Sequence, residues 1–334
     1  MKKILLFILS IFVVLVIAYT FSFSKSTSSE KNTLLTQKET TPIAKEEYKP
    51  ITMIFFGDGM FGRGVARSVT KNMNDDFSHL FDNLSAIKDY DISFMNLEGP
   101  ISDHGHNVGS KYSFRFEPRV APAIKDAGFD IVNIANNHAG DWTLAAFKDT
   151  LNYLTEYNIL YTGGAETNTQ AENPTIIDVR GTKIGFLGFT DEGPNWLEAQ
   201  DTQAGILLAS NPNFTTIISN AKQQVDVLVV SFHWGVEYSA HNERQSSLGH
   251  TAIDNGADVV IGHHPHVPQD IEWYKEKPVV YSLGNFIFDQ YFSEETMKGM
   301  AVALSLDKDR KISLTKYDVP LSNTYQPLGI VEKK

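Results

Sequence analysis

Cysteine is absent from the 334 residues of this chain. That excludes a disulfide framework, a cysteine-based zinc site, thiol chemistry and lipid attachment to an N-terminal cysteine. It does not exclude an extracellular location, because a chain of this length buries enough apolar surface to fold without cross-links. A positive charge balance is absent as well: 29 Lys and Arg face 40 Asp and Glu, for a formal net charge of −11. Nucleic acid is therefore not a partner by bulk electrostatics. An anionic substrate must be drawn by a local feature, for which bound metal cations are the best candidate. Gly57, Gly59, Gly62 and Gly64 superficially suggest a phosphate loop, but the lysine and spacing of a P-loop are missing. They read as a tight ligand-bearing turn.

What is present begins with a nearly unbroken apolar run from Ile4 to Phe23, interrupted by Ser10, Thr20 and Ser22 and preceded by Lys2 and Lys3. About 20 such residues cross a bilayer as a helix. A cleaved secretory signal is the alternative, but Ala18-Tyr-Thr20 and Ser22-Phe-Ser24 are poor cleavage sites. The expected organisation is a cytoplasmic tip (1–3), an uncleaved transmembrane anchor (4–23), a solvated linker (24–49) rich in Ser, Thr, Glu and Lys, and one folded domain (50–325). The two lysines place the N-terminus inside, giving a single-pass cell-membrane protein with its main domain extracellular.

Beyond Pro50, strand-like and helix-like segments alternate. Phe77–Lys88 and Thr143–Tyr157 have helical character. In the second, Leu144, Phe147, Leu151 and Leu154 fall on one face, with Thr143 as a candidate N-cap. Thr175–Val179 and Lys183–Leu187 form a hairpin around a short turn containing Gly181. Val225–Phe232 reads as a buried strand and Arg244–Asn255 as a helix ending before Gly256. Pro278–Leu283, Ala301–Leu306 and Lys311–Tyr317 are late β runs. The fold class expected is α/β, with two stacked mixed sheets flanked by helices and no internal repeat.

Polar clusters end five of the strand-like runs. Phe55-Phe-Gly-Asp58-Gly-Met60 follows Ile51–Ile54, and Phe94-Met-Asn96-Leu-Glu98 follows Asp91-Ile-Ser93. Asn137 and His138 close the third cluster, His233 the fourth, and Gly262-His-His264-Pro-His266 the fifth. Ligands in open α/β sheets bind outside the carboxyl ends of strands. A lone histidine after a strand is ordinarily a hydrogen-bonded loop residue. Five such clusters in order instead point to one site built from Asp58, Asn96, Glu98, Asn137, His138, His233, His264 and His266. Imidazoles with carboxylates and Asn suit Zn, Mn or Fe rather than Ca or Mg.

Gly57-Asp58, Asn96-Leu-Glu98, Ala135-Asn-Asn-His138, His233-Trp-Gly235, Gly262-His-His-Pro-His266 and Tyr281-Ser-Leu-Gly-Asn-Phe286 resemble the capsule-synthesis CapA family. That family is linked to poly-γ-glutamate and belongs to the calcineurin-like metallophosphoesterase superfamily. The resemblance covers residues 50 to 320. It implies an αββα sandwich with one or two divalent transition-metal ions at the carboxyl edge of the sheet. By resemblance, Asp58 and Glu98 are carboxylate ligands, one of them bridging. Asn137, His233 and His264 would serve one ion and His266 the other, with His138 as general acid. Asn96 would orient Glu98, and Asp141 would orient His138. Lys111, Arg115 and Asn285 are candidates for contact with an anionic substrate, whereas His104 and His106 read as solvated loop.

Two departures stand out. The superfamily carries D-x-H on its first strand where this chain has Asp58-Gly-Met60, and a thioether is a poor ligand for hard or borderline ions. Glu98 stands where the superfamily normally has Asp. The resemblance implies an extracellular component of poly-γ-glutamate synthesis or export. Its partners would be the membrane, that polymer or another anionic envelope polymer, and further membrane subunits of a polymer synthase. An exported metal-dependent phosphoesterase acting on a cell-envelope substrate is the alternative.

Overall fold

Along the central strands, successive apolar side chains enter different cores, and this alternation sets the layering. The structure, a computed structural model, describes residues 48–332. The expected cytoplasmic tip, the anchor and nearly all of the linker lie outside the described residues. Among the described residues, no helix is long and apolar enough to cross a membrane.

The first strands are β1 (Ile51–Gly59), β2 (Ile92–Leu97), β3 (Ile131–Asn133), β4 (Leu160–Thr162) and the two-residue β5 (Gly164–Ala165). Next come β6 (Thr175–Val179), β7 (Thr182–Thr190), the short β8 (Gly205–Ile206), β9 (Val227–His233) and β10 (Val259–His263). The chain ends with β11 (Ile271–Tyr274), β12 (Lys277–Val280), β13 (Asn285–Ile287), β14 (Lys298–Leu306), β15 (Ile312–Pro320) and β16 (Val331–Glu332). The last strand pairs with β15, past the expected domain end at residue 325. The helices are α1 (Arg63–Asn72), α2 (Val120–Ala127), α3 (Thr143–Glu156), the single turn α4 (Asn168–Ala171), α5 (Phe214–Lys222) and α6 (Glu243–Asp254).

One sheet has the order β16-β15-β14-β1-β2-β3-β4, with β13 also on β1, and the other has the order β11-β12-β10-β9-β7-β6. The centres of both are parallel: β1 to β4 in the first, and β7, β9, β10 and β12 in the second. Met53, Phe55, Ile92 and Phe94 of the first sheet share a buried cluster with Phe186, Val227, Val229, Val259 and Ile261 of the second. Phe94 and Phe186 stack across the interface at 5.9 Å. The alternate residues Ile54 and Phe56 pack with Val65 of α1, Ile124 of α2 and Phe147 of α3. Leu228, Val230 and Phe232 pack with Ile218 of α5 and Leu248 of α6. The result is four layers, helix–sheet–sheet–helix, and the central strands are buried on both faces because each face meets a different layer.

The hairpin β6–β7 forms as expected, with Arg180 and Gly181 both at positive φ in its two-residue turn. Two local expectations are corrected. Phe77–Lys88 is not one helix but two 3₁₀ turns, Phe77–Phe81 and Ser85–Asp89. Helix α3 is capped by Trp142 without a side-chain bond, and Thr143 is its first residue at φ +76°, so Thr143 is not the N-cap.

Candidate metal centre

The parallel strands of both sheets end at the same edge of the sandwich. Asp58 lies next to the last residue of β1, Asn96 lies near the end of β2 with Glu98 just beyond, and Asn137 and His138 follow β3. From the second sheet, His233 and His263 end β9 and β10 in mutual register, and His264 and His266 follow at once. Asp58, Asn96, Glu98, His233 and His263 are fully buried. The structure brings together all eight residues expected at the site.

Asn96 is the hub of the polar network. Its Nδ2 donates to Asp58 Oδ1 at 2.8 Å and lies 3.4 Å from Glu98 Oε2 and 3.3 Å from His233 Nδ1. Its Oδ1 accepts from Asn133 Nδ2 at 2.9 Å, so the amide is held from behind. His233 Nε2 reaches Asn137 Oδ1 at 2.8 Å and His264 Nδ1 at 3.1 Å. The backbone N–H of His264 donates to Asp58 Oδ2 at 3.2 Å. His264 and His266 lie at φ +97° and +58°, left-handed conformations for non-glycine residues on either side of Pro265. Such conformations cost about 1–3 kcal/mol each and collect at ligand-holding turns.

His138 is set apart by its own support. Its Nδ1–H donates to Asp141 Oδ2 at 2.6 Å, and Asp141 is fixed in turn by the N–H of Phe114 and the hydroxyl of Ser110, both at 2.8 Å. The Phe114 ring lies against the imidazole at 3.8 Å. This leaves Nε2 directed toward Glu98 Oε1, 3.9 Å away. Asp141 thus lies where a group that orients His138 would lie.

The donor set fits a cation. Glu98 Oε1 is buried without a hydrogen-bond partner, and both ring nitrogens of His263 share that condition. The ion-pair contacts of Asp58 and Glu98 among the described residues are all to histidines, at 3.4–3.9 Å. Burial and the neighbouring Asp58 charge push Glu98 well above the ordinary carboxylate range. Burial and nearby imidazoles hold His233 well below its ordinary value, and burial brings His263 down to about 4 and His264 to about 3. Neutral imidazoles beside two carboxylates, one with an oxygen that no hydrogen bond reaches, match what a divalent transition ion requires. Asp58, Glu98 and His266 offer ligand atoms within 4.8 Å of one another, as do Glu237, His264 and His266.

The other expected residues are placed differently. Asn285 is buried, accepts from His266 Nδ1 at 3.1 Å and donates to Thr296 O at 2.9 Å. It positions His266 and is not free to contact a substrate. Lys111 is exposed, with its ammonium 5.0 Å from the Tyr112 ring. The Arg115 guanidinium lies on Trp142 at 3.7 Å. The glycine-rich turn holds no phosphate cradle, because Asp289 Oδ2 already accepts the Gly64 N–H at 2.9 Å at the start of α1.

Residues 52–290 match the family described as bacterial capsule synthesis protein PGA_cap. The chain belongs to that family. Capsule biosynthesis protein CapA of Bacillus anthracis is 33% identical over 259 residues, covering 75% of this chain and 62% of the relative. PGA biosynthesis protein CapA of Bacillus subtilis is 34% identical over 240 residues, covering 71% and 63%. The chain thus spans under two thirds of these relatives' length. A Mycoplasma pneumoniae structure described as a novel phosphatase aligns with 81% of this chain and 94% of its own, at TM-score 0.49 and 14% identity, too remote to bear on function.

The motifs of this PGA_cap-family chain assign no site role to His263, Glu237, Asn133 or Asn136. A signal for His263 exists: two-residue alternation along β10 puts it on the inter-sheet face with Val259 and Ile261. Glu237 lies in a loop and has no such signal.

Proposed function

We propose that this protein is a membrane-anchored extracellular component of poly-γ-glutamate capsule synthesis or export, with a divalent transition-metal centre at the shared carboxyl edge of its sheets. The polymer assignment draws on the relatives named for capsule and PGA biosynthesis. The observation that carries the metal assignment is Glu98 Oε1, buried without a hydrogen-bond partner beside Asp58 and His266. Asp58, Glu98, Asn137, His233, His264 and His266 would hold one or two ions of Mn, Fe or Zn. Bound there, the metal would polarise an oxygen of the substrate and offset its negative charge, which this acidic chain does not do over its whole surface. Residues 4–23 would anchor the chain, 24–49 would act as the linker, and the domain would face outward beside other membrane subunits of the synthase.

His138 is built for proton transfer. Asp141 fixes its tautomer and ring plane, and Phe114 excludes water from one face, so Nε2 is the atom that holds or releases a proton at the centre. This pairing favours chemistry within the polymer role and is the ground for the second reading, an exported metal-dependent phosphoesterase. Two variants in a cell that makes poly-γ-glutamate test the assignment. Asp58→Asn should lower bound metal, measured by elemental analysis, and abolish polymer. His138→Ala should keep metal and fold while losing about 10²–10⁴ in rate, and polymer with it. Normal polymer from His138→Ala alongside failure of Asp58→Asn would remove the enzyme reading and leave a binding role for the metal. Unchanged metal in a His264→Ala, His266→Ala double variant would refute the centre itself.

A further inference from the structure

The superfamily that the motifs resemble places a histidine two residues after the first-strand aspartate, and this chain has Met60 there. Met60 is fully buried in the helix-side core with Phe61 and Val65, and its sulfur accepts the Gly62 N–H at 3.2 Å. It faces away from the centre, and Asp58 remains the ligand that β1 contributes. We propose that Glu237 supplies the missing ligand, as a third carboxylate of the metal centre. This rests on the metal reading above.

The Glu237 carboxylate lies within 4.8 Å of ligand nitrogens of both His264 and His266. Its loop is built to stay there. The N–H of Tyr238 donates to Pro265 O at 2.8 Å, so the loop is tied to the turn that carries the two histidines. Gln269 Nε2 donates to Ser239 O at 2.8 Å from the next segment. The Tyr238 hydroxyl accepts from Gln290 Nε2 at 2.9 Å, and Gln290 Oε1 accepts from Asn285, the residue that positions His266. Exchanging a neutral imidazole for a carboxylate adds a negative charge and a hard oxygen to the centre. Oxygen ligands favour Mn over Zn relative to an all-imidazole set.

The test is calorimetric titration of Mn²⁺ and Zn²⁺ into the chelator-stripped full-length chain in mild detergent, with thermal melts of the metal-free forms. Glu237→Gln should melt with the wild type when metal-free and bind Mn²⁺ at least about 10-fold more weakly, a loss seen even for outer-shell partners. Glu237→His should bind Zn²⁺ better relative to Mn²⁺ than the wild type does. Equal Mn²⁺ affinity in Glu237→Gln, with wild-type binding intact, would overturn the role of Glu237 alone. Absence of binding in the wild type would instead overturn the metal centre and this inference with it.

Discussion

Three buried imidazoles at the centre stay neutral well below the pH at which histidine ordinarily titrates. Burial sets His263 at about 4 and His264 at about 3 against an ordinary 6.5, and pushes His233 well down. An unfolded chain takes up these protons near pH 6.5 and the folded chain does not. The stability they confer is therefore complete above that pH and is lost as pH falls toward the folded values. Glu98 works in the opposite sense, because its raised carboxyl takes up a proton in the folded state first. At the centre, three groups against one leave a net loss. The unfolding free energy of the chelator-treated protein, read from urea denaturation, should fall between pH 7 and pH 5, by up to about 1.4 kcal/mol per pH unit for each net proton. A stability that holds steady over this range would overturn the expected net loss. Residue chemistry at this edge was legible where a motif marked it, as with His138 and the His264/His266 pair. It was hidden where a side chain's partners come from the other sheet, as with His263, or from a loop, as with Glu237.

Among the elements, the approach of β1 to the segment before β13 is the tightest constraint near the centre. The Asp58 N–H donates to Gly284 O at 2.9 Å, and a Cβ on Gly57 would sit 1.9 Å from that same oxygen. Gly57→Ala must separate the two segments, displacing Asp58 and Asn285 together. It should cost about 1–3 kcal/mol or more through overpacking, read as a lowered denaturation midpoint together with weaker metal uptake. Gly109→Ala is the comparison, since Gly109 has φ +96° but nothing within 4 Å, so only the conformational cost of about 1 kcal/mol applies. A Gly57→Ala midpoint no lower than that of Gly109→Ala would show that the strand ends yield freely. The glycines of this turn were visible in the sequence, but their purpose was not, because the atom that excludes a side chain lies more than two hundred residues away. Phe77–Lys88 teaches a related point. Phe77, Leu80, Phe81, Leu84 and Ile87 do bury one face, as their helical spacing suggests, yet they do so through two short turns. Apolar spacing reports the buried face and leaves the hydrogen-bond pattern open.

At the scale of the whole molecule, the layering was legible in the nearly continuous apolar runs of β1, β9 and β10, since central strands buried on both faces need an apolar partner on each side. Which strands neighbour one another could not, because register and sheet order depend on long-range pairing. The apolar run Ile4–Phe23 bears on the whole chain too. Full-length protein should remain with membranes after a high-salt wash, and its domain should be open to external protease in intact cells. Recovery of a soluble form beginning near residue 25 would establish cleavage instead. One more consequence lies in the pairing of β1 with β14, which joins Ile51 to Leu306 and Phe55 to Val302. During synthesis, β1 emerges early and waits for a partner that is made near the end. Until then one edge of the first sheet is unpaired, and apolar side chains bound for the interior are exposed to water and to other chains. Folding of this chain is therefore governed by a late, long-range closure of the kind that slows folding and invites aggregation. A truncation that ends just before Lys298, at residue 297, should yield insoluble protein even though every residue placed at the centre is still present.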